Sequence, residues 1–151
     1  MKKIISILLL SISMCFTYFA QVANIGGDNV QVDTIIQNGV SYINVEDVKT
    51  IFDCNIEYSK ITKNVTIQKD KPIEDVRYID ICFITKEEVY EVVKNSKNED
   101  GMYKSVTKRG TEKSKVVFID SKIYVPLKIV SDTLGYNVSL NQNKEFVIKR
   151  A

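Results

Sequence analysis

The segment NGVSYINVEDVKTIFDCNIEYSKITKNVTIQK, Asn38 to Lys69, reads as a degenerate copy of DSKIYVPLKIVSDTLGYNVSLNQNKEFVIKR, Asp120 to Arg150. A repeat of this kind restricts the chain to folds that use one supersecondary unit twice. Tyr42 falls on Tyr124, Ile43 on Val125, Val45 on Leu127, Val48 on Val130, Phe52 on Leu134, Asn55 on Asn137 and Ile56 on Val138. Most pairs are apolar on apolar, as expected where equivalent positions face a core. A one-residue difference near Ile61 then brings Val65 and Ile67 onto Phe146 and Ile148, and a surface hairpin can absorb it.

Each copy carries the same local signals. The alternation in Val30-Gln31-Val32-Asp33-Thr34-Ile35-Ile36 predicts a strand, Asn38-Gly39 a tight hairpin turn, and Val40 to Ile43 the partner strand. Val116 to Ile119 and Ile123 to Val125 flank Asp120-Ser121-Lys122 in the same way. A short helix follows in each. Asn44 can cap the first, with Val45, Val48, Ile51 and Phe52 on one face; Pro126 suits the start of the second, with Leu127, Val130 and Leu134 inward and Gly135 past its end. Asn55 to Tyr58 with Val65 to Gln68, and Asn137 to Leu140 with Glu145 to Lys149, close the copies as strand pairs. The expected fold class is α+β: two ββαββ-type repeats, about 30–69 and 116–150, forming mainly antiparallel sheet with short helices packed on it.

Between the copies, Ile79 to Ile84 is a β-rich apolar run. Thr85-Lys86-Glu87-Glu88 has the form of a capping box, predicting a helix through about Lys94 with Val89, Val92 and Val93 inward. Asn98 to Gly101 reads as a turn. Met102 to Lys115 is polar, contains Arg109-Gly110 as a second turn, and is expected to be a hairpin or loop.

The N-terminus is of another kind. Met1-Lys2-Lys3 is a short basic region, and Ile4 to Ala20 carries no charge, which is the pattern of a secretory signal peptide. Serines and Thr17 interrupt a run already short for a membrane span, favouring removal near Ala20 to Ala23 over a retained anchor. The expected domains are a signal peptide over 1–23 and one domain over 24–151, placed outside the cytoplasm, secreted or at the cell surface. Membrane contact is expected only through an uncleaved N-terminal segment. Of 21 basic and 19 acidic residues, the leader holds Lys2 and Lys3 and no acid, so the remainder is electrically balanced. Nucleic acid would require a basic footprint and is not an expected partner. Beyond Cys15 of the leader, Cys54 and Cys82 are read as small buried hydrophobes, with a disulfide between them as the alternative.

With these residues in place, IYVPLKIVSDTLGYNVSL, its flanking Asp-Ser-Lys turn and its closing FVIKR strand resemble the copper amine oxidase N-terminal domain family. Tyr124-Val125-Pro126-Leu127 and Leu134-Gly135 carry the likeness, repeated in degenerate form at Tyr42-Ile43-Asn44-Val45 and Phe52-Asp53. The chain departs from that pattern at Lys128 for the usual Arg, at Leu140 for the usual Trp, and in the first copy, which lacks both the Pro and the Gly. The resemblance implies an accessory, stalk-like module that recurs in exported proteins of Gram-positive bacteria without an oxidase attached.

Composition bounds the chemistry. The chain contains no His, so imidazole-held copper is excluded, and none of its eight tyrosines has the Asn-Tyr-Asp/Glu context of the quinone precursor. Ser and Cys nucleophiles lack their usual base, and no nucleotide-binding loop is present. Glu46-Asp47, Glu87-Glu88 and Glu99-Asp100 are the carboxylate pairs to consider, though neighbours on a helix diverge and first-turn acids favour the helix dipole. Tyr58, Tyr103 and Tyr136 are candidates for a carbohydrate-stacking face, with packing the plainer reading. No catalytic, cofactor or metal residue is assigned. The expectation is a non-catalytic binding or scaffold module of the cell envelope, contacting wall glycan or an envelope protein; the alternative is a carboxylate-dependent cell-wall hydrolase.

Overall fold

Asn38 and Gly39 both adopt positive φ, 52° and 74°, which matches the right-handed twist of the strands they join. They connect β2 (Asp28–Gln37) to β3 (Val40–Asn44), with Thr34 opposite Ile43 and Gln37 opposite Val40. The computed structural model describes residues 17–151, and side chains from Gln21 onward. Most of the expected signal peptide, including its basic and apolar regions, lies outside the described residues. Its last part, together with Asn24 and Ile25, is β1 (Thr17–Ile25), antiparallel to β2 along its whole length.

After β3 the chain turns into α1 (Val45–Phe52), where Asn44 Oδ1 accepts from the Glu46 N–H at 3.0 Å and Asp53 closes the helix at φ 47°. β4 (Asn55–Tyr58) and β5 (Val65–Asp70) follow as a hairpin. β6 (Val76–Ile84), β7 (Val89–Lys97) and β8 (Tyr103–Gly110) then extend that hairpin into an antiparallel meander, β4-β5-β6-β7-β8. The second copy runs through β9 (Val117–Ile119), β10 (Lys122–Pro126), α2 (Leu127–Leu134), β11 (Tyr136–Leu140) and β12 (Phe146–Arg150). With β1, β2 and β3 its strands make a seven-stranded sheet in the order β11-β12-β1-β2-β3-β10-β9. Only β1 and β12 in it are parallel, with Ala23 beside Phe146 and Ile25 beside Ile148.

This architecture corrects the expected α+β fold of two ββαββ repeats. The described chain is mostly β, with twelve strands in two sheets and two eight-residue helices. The closing strand pairs of the two copies also part company. β4 and β5 join the five-stranded meander because β6 continues from them antiparallel, whereas β12 finds its neighbour in β1, a strand outside the repeat.

Two local expectations fail with it. Thr85 to Glu88 is a turn and β7 begins at Val89, so there is no helix through Lys94. Thr85 Oγ1 donates to the Lys63 carbonyl at 2.6 Å instead of capping a helix, and Glu88 has φ 52°. Met102 to Lys115 contains an eight-residue strand, and Gly110 ends that strand.

One core serves both sheets and both helices. Ala23, Val32, Ile43 and Ile148 of the larger sheet meet Val65, Ile67, Ile81 and Phe83 of the smaller one, with Val48, Phe52, Val130 and Leu134 from the helices. Phe52 is edge-on to Tyr136, ring centroids 5.0 Å apart. Burial of this kind supplies most of the driving force for a β-rich chain with only two short helices. Cys54 and Cys82 are both free thiols; Cys54 is buried, and burial, opposed by nearby Lys69, pushes its pKa up to about 11.

Candidate functional site

Side chains alternate along a strand, so Asp33 and Ile35 share a face of β2, and Lys122 and Tyr124 share the matching face of β10. β3 lies between them. Across it, the Tyr124 hydroxyl donates to Asp33 Oδ2 at 3.0 Å, Lys122 Nζ donates to the same oxygen at 2.6 Å, and Asn44 Nδ2 does so at 3.3 Å. Asp47, in the first turn of α1, accepts the Asp33 backbone N–H at 2.7 Å. Tyr124 is fully buried, packed with Ile35, Tyr42 and Val117 in a small cluster. Thus one carboxylate ties the first copy of the repeat to the second.

The two carboxyls are pushed in opposite directions. Desolvation alone would raise Asp33, but the hydrogen bonds from Lys122, Asn44 and Tyr124 outweigh it and hold its pKa below the ordinary carboxylate value. For Asp47 desolvation prevails, reinforced by the charge of Asp33, and its pKa is raised. A split of this sign is what an acid/base pair requires. Here, however, the Asp33 oxygens are taken up by a buried tyrosine, a lysine and an asparagine, and Asp47 holds a backbone amide. These are the contacts of a structural knot.

The carboxylate pairs of the sequence do not assemble elsewhere. Glu46 and Asp47 stand in the first turn of α1, Glu87 is ion-paired with Arg109, and Glu88 lies 3.8 Å from Lys115. Asp100 accepts from Asn98 within the turn that ends β7. Among the described residues no group of three His, Cys, Asp or Glu could hold a metal ion. Nor do the tyrosines form one face: Tyr58 packs on Phe118, Tyr103 under Arg77 and Tyr136 on Phe52.

The structure presents instead a groove that the sequence reading missed. The core-facing side of the five-stranded sheet is covered as far as β6 and then runs beyond the helices along β7 and β8. There it leaves an open cavity of about 550 Å³, bounded on the far side by Thr133 of α2. Val92 and Val106 give it an apolar floor, and Lys94 and Lys108 rise from the same strands. The Tyr90 ring lies over Gly110, so close that a Cβ there would come within 2.3 Å of it. No carboxylate lines the cavity. The signal was present in the sequence as Lys104-x-Val106-x-Lys108, an alternation of basic and apolar residues that belongs to a strand and is invisible once the segment is read as a loop.

Comparison with family models, with curated proteins and with solved structures finds no match.

Proposed function

We propose that the protein is a non-catalytic binding or scaffold module working outside the cytoplasm, in the cell envelope. The observation that carries this reading is the groove over β7 and β8, open, apolar at its floor and basic at its sides, without a carboxylate. A hydrolytic site would need an acid and a base facing a common space. The split carboxyls Asp33 and Asp47 favour the hydrolase alternative electrostatically, but their oxygens are engaged in hydrogen bonds between strands and helix. The signal-like leader supports export, and the resemblance to the copper amine oxidase N-terminal domain family supports an accessory role with no copper of its own.

Sedimentation of the purified protein with insoluble wall material, run beside a zymogram of the same material, tests the reading. Co-sedimentation without clearing is expected. Clearing that is lost in Asp47→Asn would establish the hydrolase instead.

A further inference from the structure

The register of β7 and β8 sets three lysines in a zigzag. Ser96 is opposite Lys104, Lys94 opposite Val106, and Val92 opposite Lys108. Lys104, Lys94 and Lys108 therefore share one face and advance along the hairpin in two-residue steps, each roughly 7 Å at about 3.4 Å per residue. None of the three has a carboxylate within ion-pair distance among the described residues, so their charge is available on that face. Arg109, which also borders the cavity, alternates to the other side of the hairpin, where it is directly across from Glu91 and bonded to Glu87. Positive charge is thus sorted to one side of a hairpin in a chain whose charges otherwise balance.

We infer that this groove binds a linear phosphodiester polymer with short polyol linkers, its phosphates on Lys104, Lys94 and Lys108 and its linker carbons over Val92 and Val106. Ammonium groups serve as point charges for phosphate. Two-residue steps suit an extended three-carbon polyol phosphate, whose repeat is of comparable length. Between the cations, the valines offer apolar contact to the linker and no hydrogen bonds to a ring. Single-stranded nucleic acid would seek a stacking surface, and the nearest ring, Tyr90, is already laid over Gly110 and packed toward Phe83 at 6.2 Å. Lys94 and Lys108 line the cavity and Lys104 carries the row past it along β8, a linear order of charge that a linear polymer matches and a flat membrane surface does not require. The inference rests on the binding-module reading and narrows it to one ligand class.

The test uses the protein that folds and exports normally, with poly(glycerol phosphate), polygalacturonate and single-stranded DNA as probes of matched charge. Poly(glycerol phosphate) is expected to bind tightest, and a Lys94→Gln, Lys104→Gln, Lys108→Gln triple variant to lose at least tenfold in affinity. The slope of log K against log salt should fall by about 2, the value for three lost contacts to a flexible polyanion. A control triple, Lys49→Gln, Lys60→Gln and Lys149→Gln, should bind as the parent does, and urea melts of both variants should match the parent's. Unchanged affinity in the groove variant, or equal or tighter binding of polygalacturonate or DNA, overturns the inference. In the first case whole wall material would still sediment the protein if the module reading stands. Failure of wall material to sediment the parent protein would defeat that reading itself.

Discussion

Phe52 and Leu134 occupy equivalent positions on the two helices, and both are buried in the shared core. Truncating either to Ala removes several buried carbons and leaves a cavity that the surrounding strands cannot close, at a cost of about 2–5 kcal/mol. Lys49→Ala and Lys128→Ala should each stay within about 0.5 kcal/mol, because Lys49 is exposed and the Lys128–Asp132 pair lies on the helix surface. Urea melts of the four variants check both halves of this expectation. These core positions were legible, because repeating apolar pairs mark inward faces whatever the sheets do. Gly110 was not. Read as a turn residue, it is in fact the place where a side chain is missing so that Tyr90 can lie flat. Gly110→Ala should destabilise the protein, and the effect should shrink when Tyr90 is already Ala; a double-mutant cycle measures the difference.

At the scale of elements, Asp33 joins β2, β3 and β10. Its folded pKa lies below the unfolded one, so its stabilisation is complete above the unfolded value and is lost as pH falls through the folded value. Asp33→Asn should therefore cost most near neutral pH and little in strong acid, a trend that urea melts across a pH series will register. Asp47, with its pKa raised chiefly by burial, works in the opposite direction: its contribution is complete below the unfolded value and is lost as pH rises through the folded one. The elements themselves were unevenly legible. Turn chemistry at Asn38-Gly39 and the Asn44 cap act over a few residues, so the sequence shows them directly. The Thr85 to Glu88 box looked helical by the same local logic. Tertiary context overrode it: Thr85 is drawn to Lys63, and the β-branched valines of Val89 to Val93 satisfy a strand between β6 and β8.

For the whole molecule, the decisive contact is β1 between β2 and β12. Ala23 is completely buried, and Gln21 reaches both the Thr34 hydroxyl and the Lys144 carbonyl. A chain beginning at Gln21 keeps these contacts; one beginning at Asn24 loses buried Ala23 and leaves the facing edge of β2 with only Asn24 and Ile25 of its partner. The first should melt cooperatively and the second should not, as circular dichroism in urea will show. A leader removed after Ala20 would take the Thr17 to Ala20 end of β1 away from β2 but leave Ala23 to Ile25 on β12, and mass spectrometry of protein recovered outside the cytoplasm will locate any cut. Nothing local announces this arrangement. Two strand pairs of similar sequence enter different sheets, and only long-range pairing decides which.

That pairing has a consequence in time. Gln21 and Lys144, 123 positions apart, are neighbours across a parallel seam. Loop closure on this scale must precede the contacts that reward it, so a chain of this topology belongs among slow folders, in milliseconds to seconds. The seam works as a clasp. Its first half is synthesised first and waits, unpaired on one side, until β12 exists, so the seam cannot close before the residues that separate its halves have been made.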